Sequence, residues 1–435
     1  MKRNMCLLLC AVLMTLLFAG CQPAQPGETT APQISHVLKV GYGRVDITPE
    51  ESVPLRGLGG DTSNRMSKDV KNPLYATCIA FTDETDNTIL LMELDLALCF
   101  GLPTAYARAD ISKATGVPVA QIMVTATHNH SGPDLDNTKE PATERYTESL
   151  RKWMVQAAEA ALADRKTATG LFKTEAKPEN LNFVRHYVMS DGTIAGDNFG
   201  NFKDNPIVKH VLDADNQLQL VKFTREGGKD VILMNWQGHP TGHIQYRYSI
   251  LSYSGKVVEA VEEQLDCHCM YVLGASGNVN NGTRIEEEKI YDTYEERAAA
   301  LAGYAVAAKD YQEVAVGNVQ MLKQNVACTP KSGGGNKVDV TLNAFAIGDV
   351  AFVTAPYEMF CENGQAVKAG SPFKMTFVSS CSNGRGSYIP SISTYDYNNM
   401  PDEVYEIRCT EYAPGTAEIL ESAFVDMLKQ IYETK

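Results

Sequence analysis

The stretch Thr125-Ala126-Thr127-His128-Asn129-His130-Ser131-Gly132-Pro133 sets two histidines one residue apart, directly after the apolar run Ile122-Met123-Val124. Alternate residues of an extended chain face the same way, so both imidazoles are expected to reach one cavity before Gly132-Pro133 turns the backbone aside. A third histidine, His239, follows another apolar run in Asn235-Trp236-Gln237-Gly238-His239-Pro240. Glu358 lies just past Phe352-Val353-Thr354, and Tyr388 lies past the run that ends near Ser379. Neutral imidazole is a metal ligand, and borderline-soft zinc accepts such nitrogens together with carboxylate or phenol oxygens. One such residue alone is more often a packed or solvated side chain. Metal-capable residues beyond four separate strand ends predict a metal site. His243 is not expected to join it, because Pro240 and Gly242 preclude the helix that would align it with His239.

Strand ends are where an α/β scaffold builds its sites. The pattern here is of short apolar runs alternating with helical stretches. Strands are expected near Ile79–Thr82, Ile89–Leu94, Gln121–Ala126, Val231–Asn235, Met270–Leu273, Ala344–Thr354 and Met375–Ser379. Helices are clearest at Glu144–Ala163, with Tyr146, Leu150, Trp153, Met154 and Ala157 on one face, and at Thr416–Ile431, with Leu420, Phe424, Met427 and Ile431 on one face. The fold class is therefore α/β, or mixed α+β, with β-sheets flanked by helices in a single large domain over residues 37–435. Asp95, at the end of Met92-Glu93-Leu94, has the place of a residue that orients a ligand histidine, and equally of a capping or surface residue. The loops Lys331–Asn336 and Gly274-Ala275-Ser276-Gly277 are glycine-rich, but neither carries a phosphate-binding signature, so no nucleotide is expected as a partner.

The amino terminus speaks to location. Lys2 and Arg3 precede an apolar run from Met5 to Ala19, too short for a stable membrane span, which closes on Leu17-Phe18-Ala19-Gly20-Cys21. Residues 1–20 thus read as a lipoprotein signal peptide, and Cys21 as a lipidated first residue. Residues 21–36 read as a flexible tether rich in Pro, Gln, Gly and Thr. The protein is expected as an exported bacterial lipoprotein, held at the membrane by acyl chains worth about 0.8 kcal/mol per buried methylene and facing outward. Removing residues 1–20 takes away Lys2 and Arg3 and no acid, lowering the 39 basic residues to 37 against 53 acidic and the net charge from −14 to −16. Such a surface repels phosphate backbones, so nucleic acid is not expected as a partner. Of the 11 cysteines, those other than Cys6, Cys10 and Cys21 are scattered without a disulfide framework. Strand alternation would turn His268 away from Cys267 and Cys269, against a metal clip there.

Further segments share the order of a known family. Gly41-Tyr42-Gly43-Arg44-Val45-Asp46-Ile47-Thr48-Pro49, Pro73-Leu74-Tyr75-Ala76, Thr127 through Pro133, Asn235-Trp236 through His239-Pro240-Thr241, Pro356-Tyr357-Glu358 and Gly386-Ser387-Tyr388 together resemble the catalytic domain of the neutral/alkaline non-lysosomal ceramidases. The resemblance implies one zinc per chain, held by His128, His239, Glu358 and Tyr388, with His130 beside the scissile amide. It also implies Arg185 and Tyr405 as residues that contact substrate. The implied activity is hydrolysis of an N-acyl amide, releasing a fatty acid and an amine from a ceramide-like lipid or another N-acylated small molecule. Zinc lowers the pKa of a water from about 15.7 toward roughly 7. His130 is placed to deliver a proton to the leaving nitrogen, and Tyr405 and Arg185 to face the developing oxyanion. Members of the family carry an additional C-terminal β-rich domain, whereas this sequence ends soon after Ile431, and Thr241–His243 and Ser393–Met400 also differ. Those differences leave open a zinc hydrolase of another amide or ester, or a surface lipoprotein that binds a metal or solute without catalysis.

Overall fold

The computed structural model describes residues 37–57, 65–99, 101–240, 244–282, 284–285, 291–384, 386–399 and 403–435. The signal peptide and tether expected over residues 1–36, with Cys21, lie outside the described residues, as do Thr241, Gly242, His243 and Met400.

Two sheets pack face to face. The larger runs His268–Leu273, Val231–Trp236, Leu218–Arg225, Lys166–Ala176, Lys39–Asp46, Tyr75–Thr82, Thr88–Leu94, Ile122–Ala126, with Gln312–Val314 added to Lys166–Ala176. Its interior is antiparallel, but the pair at each end is parallel: Val231–Trp236 with His268–Leu273, and Thr88–Leu94 with Ile122–Ala126. A parallel pair needs a crossover. The helices Tyr253–Leu265 and Gly101–Thr115 supply them. The smaller sheet runs Val319–Cys328, Val338–Ile347, Val350–Thr354, Met375–Ser379.

Alternation along Tyr75–Thr82 shows how the layers form. Cys78 and Ala80 point into a core shared with Tyr146, Leu150 and Met154 of the helix Pro141–Ala163. Ile79 and Phe81 point the other way, into a core shared with Phe345, Phe352 and Phe377 of the smaller sheet. The far face of that sheet buries Leu342, Ala344 and Val353 against Leu420, Phe424 and Met427 of Thr416–Glu433. The order of layers is thus helices, sheet, sheet, helices, as expected of sheets flanked by helices. Strands buried on both faces read as continuous apolar runs, which is why they stand out in the sequence.

The same continuity hides a turn. The run Ala344–Thr354, expected as one strand, is the end of Val338–Ile347, a reversal at Gly348-Asp349, and then Val350–Thr354, paired antiparallel with register Ile347↔Val350. Gly348 has φ +58, and a Cβ there would fall 1.8 Å from the Ala315 carbonyl oxygen. Trp153, expected in the core with Tyr146, is half-buried and meets its ring edge-on at 5.9 Å. His268 is likewise half-buried, stacked on Tyr42 at 4.1 Å between the buried Cys267 and Cys269.

Candidate metal centre

The two ends of the large sheet are brought together by the segment that follows Met375–Ser379. Asn383 N–H donates to the Val124 carbonyl at 2.7 Å and Ser380 N–H to the Leu273 carbonyl at 3.2 Å, so one loop bonds both outer strands. The buried Asn235 amide donates to Val272 and Val378 carbonyls at 2.9 and 3.0 Å. The loops beyond Ile122–Ala126 and Val231–Trp236, which carry the histidines, therefore meet in one place.

His128 and His130 do converge, though not through strand alternation. The strand stops at Ala126, and His128 has φ +61, a left-handed backbone that is rare outside glycine. That turn brings His130 Nε2 to 3.1 Å from His128 Nε2. Left-handed backbone at a non-glycine residue stores strain and clusters at functional sites. His239 is set by the bond from its own N–H to the Val279 carbonyl at 2.9 Å. Glu358 and Tyr388 lie side by side on the short parallel ladder of Glu358–Met359 with Tyr388–Ile389.

Ring tautomers follow from carbonyl partners. His128 Nδ1 lies 2.6 Å from the Ala97 carbonyl oxygen and His239 Nδ1 3.1 Å from that of Ser276. A carbonyl only accepts, so each Nδ1 carries a proton, and Nε2 is the atom left free for a metal on each ring when it binds as neutral imidazole. Those two Nε2 atoms face each other at 2.8 Å. The Glu358 Oε2, buried and without a hydrogen-bond donor, is 3.3 Å from one and 3.7 Å from the other. Such a group of acceptors repels itself unless a cation sits among them. Ligands about 2.0–2.2 Å from a tetrahedral ion stand roughly 3.3 Å apart, close to this spacing. The residues thus fit a metal ion, and carbonyl-anchored Nδ1–H groups are the usual way to fix a metal-binding histidine.

The three histidines have ligand atoms within 4.8 Å of one another. Burial first, then the neighbouring His128, holds His130 and His239 well below the ordinary histidine range, which keeps both rings neutral and available. For Tyr388, burial and then Glu358 push the phenol well above its ordinary range, with Arg185 opposing. A dication at the site would reverse that local field.

A cavity of about 510 Å³ opens onto the cluster, lined by His128, His130, Glu358, Tyr388 and Tyr405, with Arg56, Ser387, Cys409 and Glu411 among the other walls. Arg185 is not among the lining residues. It lies behind Tyr388, its guanidinium carbon 5.4 Å from the ring centre, and is clamped by Glu406 through Nε at 2.9 Å and Nη2 at 2.7 Å. His186 Nε2 meets the other Glu406 oxygen at 3.2 Å. Burial alone would raise Glu406, but Arg185 and His186 outweigh it and hold the carboxyl down at about 2.

Asp95 has no histidine among its hydrogen-bond partners in the described residues, and it is not on the surface. It is buried, accepting from Ser252 Oγ at 2.7 Å, Ser254 Oγ at 2.9 Å and Thr127 Oγ1 at 3.3 Å, so it ties the chain before His128 to the start of Tyr253–Leu265. The loop Gly274–Gly277 serves the site in a way its glycines alone did not reveal. A Cβ on Gly277 would fall 2.7 Å from the Glu358 carbonyl oxygen, so only glycine lets the Glu358 strand approach. The supports at Ala97 and Ser276 are backbone carbonyls and carry no sequence signal. Glu406 does have one, a charged residue in the apolar company of Val404 and Ile407.

In fold the chain is similar to the ceramidases. A neutral ceramidase from Pseudomonas aeruginosa superposes with a TM-score of 0.72 at 17% identity, over 92% of this chain and 75% of that one. A structure described as a ceramidase complexed with C2 gives the same TM-score and identity, over 92% and 76%. No protein-family profile matches the sequence, and no curated protein matches it.

Proposed function

We propose that this chain is a zinc-dependent amidohydrolase of the neutral ceramidase family, cleaving an N-acyl amide at the cavity above the histidine cluster. The observation that carries this reading is the pair of facing, carbonyl-anchored Nε2 acceptors of His128 and His239, with the unpartnered Glu358 oxygen beside them. His128, His239, Glu358 and Tyr388 would hold the ion. Zinc in such a site supplies Lewis-acid polarisation and a nucleophilic water at neutral pH. His130, neutral and on the cavity wall, takes up and returns a proton at Nε2 beside the leaving nitrogen. Tyr405 presents its phenol to the same space and stabilises the oxyanion. Arg185, packed behind Tyr388, adds positive potential there. Cys21 carries the lipid that holds the enzyme outside the cell at the membrane.

Fatty-acid release from an N-acyl sphingoid substrate by purified protein, before and after chelation and after zinc is restored, tests the reading. Release that ignores the chelator, or no release from any N-acyl amide, would refute it. A second reading, hydrolysis of another amide or of an ester, is favoured by the charged and polar cavity walls at Arg56, Ser387 and Glu411, and the same assay with short polar acyl amides and esters separates the two.

A further inference from the structure

Arg65 is a buried cation, 4% exposed, and among the described residues its guanidinium hydrogen bonds go to three backbone carbonyls. Nε donates to Arg247 at 2.7 Å, Nη1 to Arg56 at 2.7 Å and Nη2 to His130 at 2.9 Å. Burial first, then the nearby Arg247, pulls this guanidinium down to about 10. Burying a charge against carbonyls alone is costly. What the arrangement achieves is to draw three separate segments onto one planar group, and one of them carries the histidine at the cavity.

The neighbouring backbone repeats the theme. Leu55 N–H donates to the Arg65 carbonyl at 2.9 Å and Arg56 N–H to the Gly132 carbonyl at 3.0 Å, which lays residues 54–57 along the turn that follows His130. Gly57, at φ +120, then lies against the His130 side chain: a Cβ there would fall 2.5 Å from His130 Cβ and Cγ. The His130 ring is thus bounded by Gly57 on its flank while Arg65 holds its carbonyl. By contrast, His128 and His239 are anchored through their own Nδ1 atoms.

We infer that Arg65 is a positioning residue for His130, fixing that ring at the cavity independently of the anchors that hold the other two histidines. The catalytic half of this inference rests on the hydrolase reading above. Arg65→Met is expected to keep the metal stoichiometry of the wild type and to lower kcat by about 10- to 100-fold with little change in KM, the usual effect of removing a support behind a site residue. Placed in a His130→Ala background, the same substitution should cost nothing further. Arg65→Lys, which keeps a cation but cannot donate to three carbonyls from one planar group, should disturb His130 in the same way and carries the test if Arg65→Met does not fold. Ring nitrogen resonances of histidine-labelled protein supply a readout free of any substrate. His130 signals should move in the folded variants while those of His239 stay. An equal loss of kcat in both backgrounds, loss of metal from the Arg65 variant, or unmoved His130 resonances would overturn the inference. Failure of the wild type to hydrolyse any N-acyl amide would instead sink the hydrolase reading and leave the resonances to decide this one.

Discussion

Glu358 and Tyr388 are register partners at the start of a two-residue parallel ladder, so a carboxylate and a phenol separated by 29 intervening residues face one cavity from adjacent backbone positions. The pairing is held by the Glu358 N–H bond to the Ser387 carbonyl at 3.2 Å and by the close approach of Gly277 behind it. The oxygen side of the candidate metal centre is therefore built as one unit, and the nitrogen side as another.

That division predicts what removes the metal. Elemental analysis of the folded wild type should find one zinc per chain. His239→Ala and Glu358→Ala each take away a donor aimed at the shared position, and both should lose zinc while remaining folded. Full occupancy in either variant would show that the ion is held elsewhere.

His130→Ala separates proton transfer from metal binding. Zinc should stay bound, and turnover should fall by roughly 10²- to 10⁴-fold, the usual contribution of a positioned acid or base. His128→Ala should cost both. Because His130 Nε2 stands only 3.1 Å from His128 Nε2, loss of zinc from His130→Ala would make this histidine a ligand as well.

Glu406 predicts a pH dependence of stability. Its carboxyl titrates at about 2 in the folded protein, below the ordinary 4.5, because Arg185 and His186 outweigh the cost of burial. A depressed folded value stabilises above the unfolded value, so this contribution, roughly 3 kcal/mol by the ordinary conversion, is complete above pH 4.5 and fades as pH falls toward 2. Glu406→Ala leaves Arg185 buried without its partner and should cost about 3–5 kcal/mol at neutral pH. Denaturant unfolding at pH 7 and pH 3 checks this. A gap between wild type and variant that does not narrow at the lower pH would count against the clamp.

Cys21→Ala should yield a protein left uncleaved or recovered in the soluble fraction, since thiol lipidation is the anchor proposed. Fractionation followed by mass analysis of the amino terminus decides it. Normal processing with retention in the membrane fraction would remove the anchor from the account.

The order of the chain's apolar runs carried the fold class, because strands buried on both faces leave continuous apolar runs and helices with one buried face leave a period of 3.6 residues in the sequence itself. It also carried the histidines, Glu358 and Tyr388 as metal-capable residues beyond strand ends, since residue type is local information. Their convergence was decided only in three dimensions. His128 reaches His130 through a left-handed backbone that alternation did not foresee, and His239 reaches both because the segment after Ser379 bonds the two outer strands of one curled sheet. Arg185 was legible as a residue, while its place behind Tyr388 in the grip of Glu406 depends on contacts across 221 positions. The carbonyls of Ala97 and Ser276, which leave Nε2 bare on His128 and His239, are groups every residue possesses. Only the tertiary structure could select which ones face an imidazole, because hydrogen bonding by the backbone is set by position and not by side-chain identity.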